Sequence, residues 1–287
     1  MLIVRREGGK AWPQPLLNTP KQKYVYVLKV WDGYAKRVVH TRQEATSGTG
    51  GTLADTHEGK PGLPRGRSRL PAPEVQASQR ERLVRAVVAA VAASDYAVVT
   101  VADIVRRARV SRAAFYTHFA DKEACFLAAA REGGRLMDQQ IVAATRAAET
   151  GTTDEAVLRV AVRGFLTFVT GEPEFAKIFY VDMPAAGPHA TEQLARAQHR
   201  YAELNQTWHE RARIRHPGWP TLPYDAYLAL AGATAELVRG RVRAGQISAV
   251  PDLEDTLVAL HLAVMTGQPW PGGPGPAAGV SVTETAR

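Results

Sequence analysis

Cysteine is almost absent from this 287-residue chain, which carries one, Cys125. A lone cysteine excludes an intramolecular disulfide and any multi-cysteine metal site, and it points to a reducing compartment. Cys125 falls on the apolar side of a helical pattern opening at Asp121, where a small buried side chain is expected. No run approaches the roughly 20 apolar residues that span a bilayer, and the first six residues lack the apolar core of a secretory signal. The expectation is a cytoplasmic protein with no membrane partner. Catalytic fingerprints are missing too: there is no G-x-S-x-G, no H-E-x-x-H and no Rossmann glycine pattern, and His189, His199, His209 and His216 lack a compact ligand spacing. The chain reads as a non-enzyme without metal or cofactor.

What is present favours helices. The 18 prolines and 24 glycines concentrate toward the two ends, while Ala, Leu, Val, Arg and Glu dominate between about residues 78 and 266, so the fold class is all-α. A hydrophobic content of 45% supports a sizeable core. The net charge of +8 is uneven: residues 1–75 carry +7, residues 76–125 carry +3 and residues 126–287 carry −2. Basicity in the first 125 residues is a pointer to polyanions.

The most informative stretch runs from residue 100 to residue 123. Val101, Ile104, Val105 and Ala108 recur at i, i+3, i+4 and i+7, behind a Thr100/Asp103 capping signal. A turn at Arg109-Val110 follows, and Ser111 is placed to cap a second helix. On that helix Phe115 and Phe119 share one face while Arg112, Ala113, Tyr116 and Thr117 share the other. Such a helix has the chemistry of a major-groove reader: Arg112 can fork onto guanine, Thr117 can meet a base edge or a thymine methyl, and Ala113 and Ala114 permit close approach. Tyr116 and His118 are assigned to phosphate, although a half-buried tyrosine and a packing histidine fit the same pattern. Lys122, at the start of the next helix, sits where backbone N–H groups and the helix dipole favour a phosphate.

From about Ser78 to Ala129 the chain resembles the DNA-binding domain of the tetracycline-repressor (TetR-like) family of bacterial transcription regulators. The resemblance lies in T-V-A-D-I-V-R-R-A-x-V-S-R-A-A-F-Y-T-H-F-A-D-K-E, preceded by a helix and by Tyr96 in the connecting turn. It implies a homodimeric repressor with a three-helix head and a helical body that binds a small inducer. Carried over position by position, the operator-contacting residues are Thr100, Arg112, Ala113, Ala114, Tyr116, Thr117, His118 and Lys122. Two positions depart from the family, which commonly has glycine where this chain has Arg109 and Asp95. A left-handed arginine costs on the order of 1 kcal/mol, and an aspartate tolerates that conformation better.

Four segments are expected. Residues 1–77 form a basic, mostly disordered leader, in which residues 24–41 around Asp32-Gly33 read as a possible β-hairpin. Residues 61–73 form a Pro/Gly/Arg connector, either a solvated linker or a minor-groove arm. Residues 78–124 form the head, opened by a Ser78/Glu81 capping box. Residues 125–267 form a regulatory and dimerisation body, and residues 268–287 a disordered tail.

Within the body, Phe165, Phe168, Phe179, Tyr180, Met183 and Trp208 are candidates for lining a lipophilic pocket. The last two strong helical patterns carry apolar rows at Leu228, Ala235 and Val238, and at Leu253, Leu257 and Leu260. By pattern these rows fit either intrachain core or a two-fold interface, and the resemblance selects the interface. The expected partners are a double-stranded DNA operator, a small-molecule effector and a second copy of the chain. The competing readings are a non-specific architectural nucleic-acid binder and a helical small-molecule-binding protein with a vestigial head.

Overall fold

A computed structural model describes residues 52–56, 71–147 and 152–268. Among these residues there are nine α-helices and no strand, in line with the all-α expectation. The possible hairpin at 24–41, most of the leader and the tail beyond Gln268 lie outside the described residues.

The head comprises α1 (Ala72–Ala93), α2 (Val101–Ala108) and α3 (Arg112–His118). The first helix begins seven residues earlier than the Ser78 capping box suggests. Ala72, Glu74, Gln76 and Ala77 all favour a helix, and a proline in the first turn fits because that N–H has no intrahelical partner. Ser78 and Glu81 therefore lie inside α1. The other expected signals act as caps. Thr100 and Asp103 close a reciprocal box, and Ser111 Oγ accepts from the Ala114 N–H at 3.1 Å. Arg109 takes the left-handed conformation at φ 54°, the only non-glycine residue to do so among those described. Asp95 needs no such geometry, because α1 ends on an extended Ser94.

A long helix, α4 (Lys122–Ala147), leaves the head and becomes part of the body. The body continues through α5 (Asp154–Gly171), capped by Thr153, and the short α6 (Pro173–Lys177). A widened π-type turn, Ile178–Asp182, and a 3-10 turn at Met183–Ala185 follow. Then come α7 (Pro188–Arg215), α8 (Tyr224–Arg243) and α9 (Glu254–Thr266). Helix α4 packs on α5, α7 on α8, and α9 on α5, while α6 touches α1.

Two hydrophobic clusters result. The first joins head residues such as Leu83, Ile104, Phe115 and Phe126 to body residues Phe168, Phe175, Ile178 and Met183. The second fills the rest of the body around Phe165, Leu166, Tyr227 and Leu257. The first cluster thus crosses from head to body, with α6 packed on α1. Cys125 sits within it, with its thiol pushed up to about 12 by burial, as befits an inert packing residue.

The leader is not wholly detached. Residues 52–56 turn back onto the protein, with Leu53 buried in the first cluster and its N–H donating to Glu172 Oε2 at 2.6 Å. Arg85 Nη1 donates to the Thr52 carbonyl at 3.0 Å. This piece is an ordered stretch within a leader expected to be mostly disordered, docked by one apolar side chain and two charge-assisted bonds.

Candidate nucleic-acid interface and body cavity

Helix α3 is held from beneath. Phe115 and Phe119 are buried, their ring centroids 5.9 Å apart, and Arg80 lies over the Phe119 ring. With those two rings fixed, Arg112, Ala113, Tyr116 and Thr117 are exposed on the opposite side, Tyr116 to 49%. Arg112 lies along Tyr116, its Nη2 3.4 Å from the hydroxyl and its guanidinium carbon 5.8 Å from the ring centroid. This contact extends both groups outward along one ridge.

The remaining head candidates are more enclosed. Thr100 is exposed, but its hydroxyl is engaged with Asp103 in the cap. Ala114 is half-buried. His118 is also half-buried, with Nε2 3.3 Å from Gln79 Oε1, and burial together with Arg80 lowers its pKa. Lys122 turns inward: its ammonium donates to the Tyr96 carbonyl at 2.7 Å and the Val99 carbonyl at 2.9 Å, and lies 4.2 Å from the Tyr96 ring centroid. Lys122 thus pins the turn between α1 and α2 to the start of α4. An ammonium has three donors, so one is uncommitted by these bonds. Asp121, not Lys122, caps α4, accepting from the Ala124 N–H at 2.7 Å.

In the body, a cavity of about 60 Å³ opens between α4, α5, α7, α8 and the π-type turn. Of the six aromatic and apolar candidates, Phe165, Phe179 and Tyr180 line it. Phe168 lines a smaller neighbouring void with Gly134 and Phe175. Met183 is buried in the cluster shared with the head, and Trp208 packs against Trp219 with centroids 6.0 Å apart; both stand away from the cavity.

Three charged residues line the cavity: Asp138 on α4, Arg200 on α7 and Arg239 on α8. Arg200 Nε lies 3.4 Å from Asp138 Oδ2. Burial, opposed by Arg200, raises the Asp138 carboxyl to about 6. Tyr201 and Thr234 add hydroxyls to the lining. None of these polar residues was a sequence candidate. The available signal was Asp138 itself, one residue after Met137 and three before Ile141 on the buried side of a helix.

The expected interface rows divide differently from their pattern. Val238, Leu253 and Leu257 are buried within the chain's own second cluster, and Ala235 faces the cavity. Leu228 and Leu260 are half-buried against that cluster. These rows are the inner faces of α8 and α9, since an apolar stripe serves an intrachain core as readily as an interface. The outward face of α8 is instead Ala229, Glu236, Leu237 and Gly240, with Leu237 38% exposed.

Among the described residues no group of acidic, histidine or cysteine side chains could hold a metal ion, and no helix is long and apolar enough to cross a membrane.

A helix-turn-helix head with one face of its second helix exposed is joined by one long helix to a helical body with an internal cavity. Residues 83–129 match the family model described as bacterial regulatory proteins, tetR family. Over those residues the head is similar to that family, as its motif indicates. No curated protein matches the chain.

Solved structures show the same fold. The fatty acid degradation regulator FadR of Bacillus halodurans superposes with a TM-score of 0.56 at 16% identity, over 65% of this chain and 94% of that one. The transcriptional regulator FadR of Bacillus subtilis, solved in complex with stearoyl-CoA, gives 0.55 at 14% identity over 64% and 97%. A tetR-family regulatory protein of Rhodococcus RHA1 gives 0.51 at 19% identity over 65% and 96%.

Proposed function

We propose that this chain is a homodimeric repressor, released from a palindromic operator by a small lipophilic effector. The observation that carries the reading is the two-sided build of α3, with Phe115 and Phe119 locked in the core while Arg112, Ala113, Tyr116 and Thr117 face outward. In a dimer, two such helices enter successive major grooves about 34 Å apart. Arg112 and Thr117 read base edges, Ala113 and Ala114 admit the backbone, Tyr116 and His118 meet phosphates, and Thr100 caps the helix beside them. The third donor of Lys122 completes a phosphate contact. The two copies meet through the outward faces of α8 and α9 rather than their buried rows.

The effector occupies the body cavity. In support, that cavity touches α4, the helix that opens against the head, and a regulator of the same fold holds stearoyl-CoA. Ligand acts by binding more tightly to the arrangement that fits DNA less well, since only differential affinity moves the equilibrium.

Selecting bound sites from random duplex DNA, beginning with sequence flanking the coding region, tests the reading. A palindromic site is expected, bound at least about 10³-fold more tightly than random duplex at matched salt. A small ratio would favour a non-specific architectural binder. No retardation at any salt, together with tight ligand binding, would favour a body whose head is vestigial.

A further inference from the structure

We propose that the body cavity is built for a compact amphipathic monocarboxylate, whose acid head displaces Asp138 from Arg200 and takes up Arg239. This inference rests on the cavity being the effector site and names the chemical class of the effector.

The lining holds two guanidiniums, Arg200 and Arg239, against one carboxylate, Asp138. Arg239 Nη1 is bound to Glu236 at 2.6 Å, but its Nε is buried without a partner among the described residues. A buried donor without an acceptor is destabilising, and an arriving carboxylate relieves that penalty. Asp138 is the resident stand-in for such a group. Its side chain is 9% exposed, while the Arg200 side chain is 37% exposed, so the carboxylate lies inside and the guanidinium at the mouth. A single Nε contact at 3.4 Å uses little of the guanidinium fork, which binds a carboxylate best through two parallel bonds. A ligand acid can supply that bidentate geometry.

The rest of the lining suits an apolar body: Met137, Ile141, Phe165, Phe179 and Leu204. A volume of about 60 Å³ is small beside the roughly 300–1,000 Å³ of ligand pockets. Entry must therefore part the lining, and the Asp138–Arg200 tie between α4 and α7 is the polar contact to be broken. The Arg200 fork, once Asp138 is displaced, matches one negative charge. It does not match the several phosphate charges of a coenzyme A thioester, so the free acid is the expected form even though a protein of this fold holds stearoyl-CoA.

Calorimetric titration of the full chain at pH 8 with decanoate, 1-decanol and decanoyl-CoA tests the assignment without DNA. Decanoate is expected to bind at least tenfold more tightly than either of the others. Arg200→Gln, and the milder Arg200→Lys, should each weaken decanoate at least tenfold and leave decanol unchanged. Asp138→Asn should strengthen decanoate at least threefold, because the competitor is gone. Equal binding of acid and alcohol, tighter binding of the thioester, no decanoate binding, or an Asp138→Asn variant weakened like Arg200→Gln would each overturn the proposal. The regulatory reading fails separately, if decanoate binds as expected and yet leaves retardation of the selected operator unchanged.

Discussion

The Phe175 ring lies directly against Gly133, so close that a Cβ on Gly133 would overlap Phe175 Cε2. Gly133 and Gly134 sit together in the middle of α4, and paired glycines in a helix are places where it bends. Phe175 stacks on Phe179, centroids 5.7 Å apart, and Phe179 lines the cavity. An aromatic chain therefore runs from the cavity to the paired glycines of the helix that enters the head.

Gly133→Ala tests that chain. Alanine favours the helix by up to about 1 kcal/mol, but overpacking against a fixed ring costs about 1–3 kcal/mol, so a net loss of roughly 1 kcal/mol is expected by thermal denaturation. Adding Phe175→Leu should restore most of it. A single variant as stable as the parent would mean that the ring yields freely and transmits nothing.

Asp138 sets a pH dependence. Its carboxyl rises from 3.8 to about 6 in the folded chain, so the native state holds the proton where the unfolded state has released it. The associated stability is fully present below about pH 4, is lost as pH rises to about 6, and is absent above. At 1.36 kcal/mol per unit, the difference is on the order of 2–3 kcal/mol. Asp138→Asn keeps the neutral form at every pH. Denaturant titrations should find the variant more stable than the parent at pH 8 and equal to it near pH 4. A parent curve flat between pH 4 and 7 would exclude this account.

The head was legible in the sequence because its signals are local. Thr100, Asp103 and Ser111 satisfy helix-end donors within three residues, and Phe115 with Phe119 defines a face within one turn. The start of α1 was not: Ser78 and Glu81 match a capping box, but favourable residues upstream carry the helix through it. The cavity's polar lining was hidden for a different reason. Asp138, Arg200 and Arg239 come from three helices that only tertiary packing unites, and aromatic spacing drew attention to Met183 and Trp208 instead. For α8 and α9, burial in the same chain and burial against a partner leave identical apolar rows, so Val238, Leu253 and Leu257 gave no means of choosing.

The docked leader piece has a measurable consequence. Leu53 is buried against the head-side cluster while its N–H is bound by Glu172, whose carboxyl is raised chiefly by burial. Leu53→Ala should lower stability by roughly 2 kcal/mol, the low end for truncating a buried leucine, as read by the denaturant midpoint with unchanged slope. Removing residues 1–57 should reproduce the loss. An unchanged midpoint in both would show that the contact contributes nothing to the fold.

Arg112 and Lys122 separate reading from holding. Arg112 is exposed and, among the described residues, leans on Tyr116, so Arg112→Ala should leave thermal stability within about 0.5 kcal/mol of the parent. On the selected operator it should lose about 1–3 kcal/mol of discrimination at the base pair it reads. Lys122→Met removes two bonds to the Tyr96 and Val99 carbonyls, which are charge-assisted and so worth more than neutral ones. The head should lose roughly 1–2 kcal/mol of stability, and operator and random duplex should weaken alike. The salt dependence then divides the two duties of Lys122. If its third donor meets a phosphate, the slope of log affinity against log salt falls by about 1 in the variant. If the lysine only pins the turn, affinity falls with the slope intact.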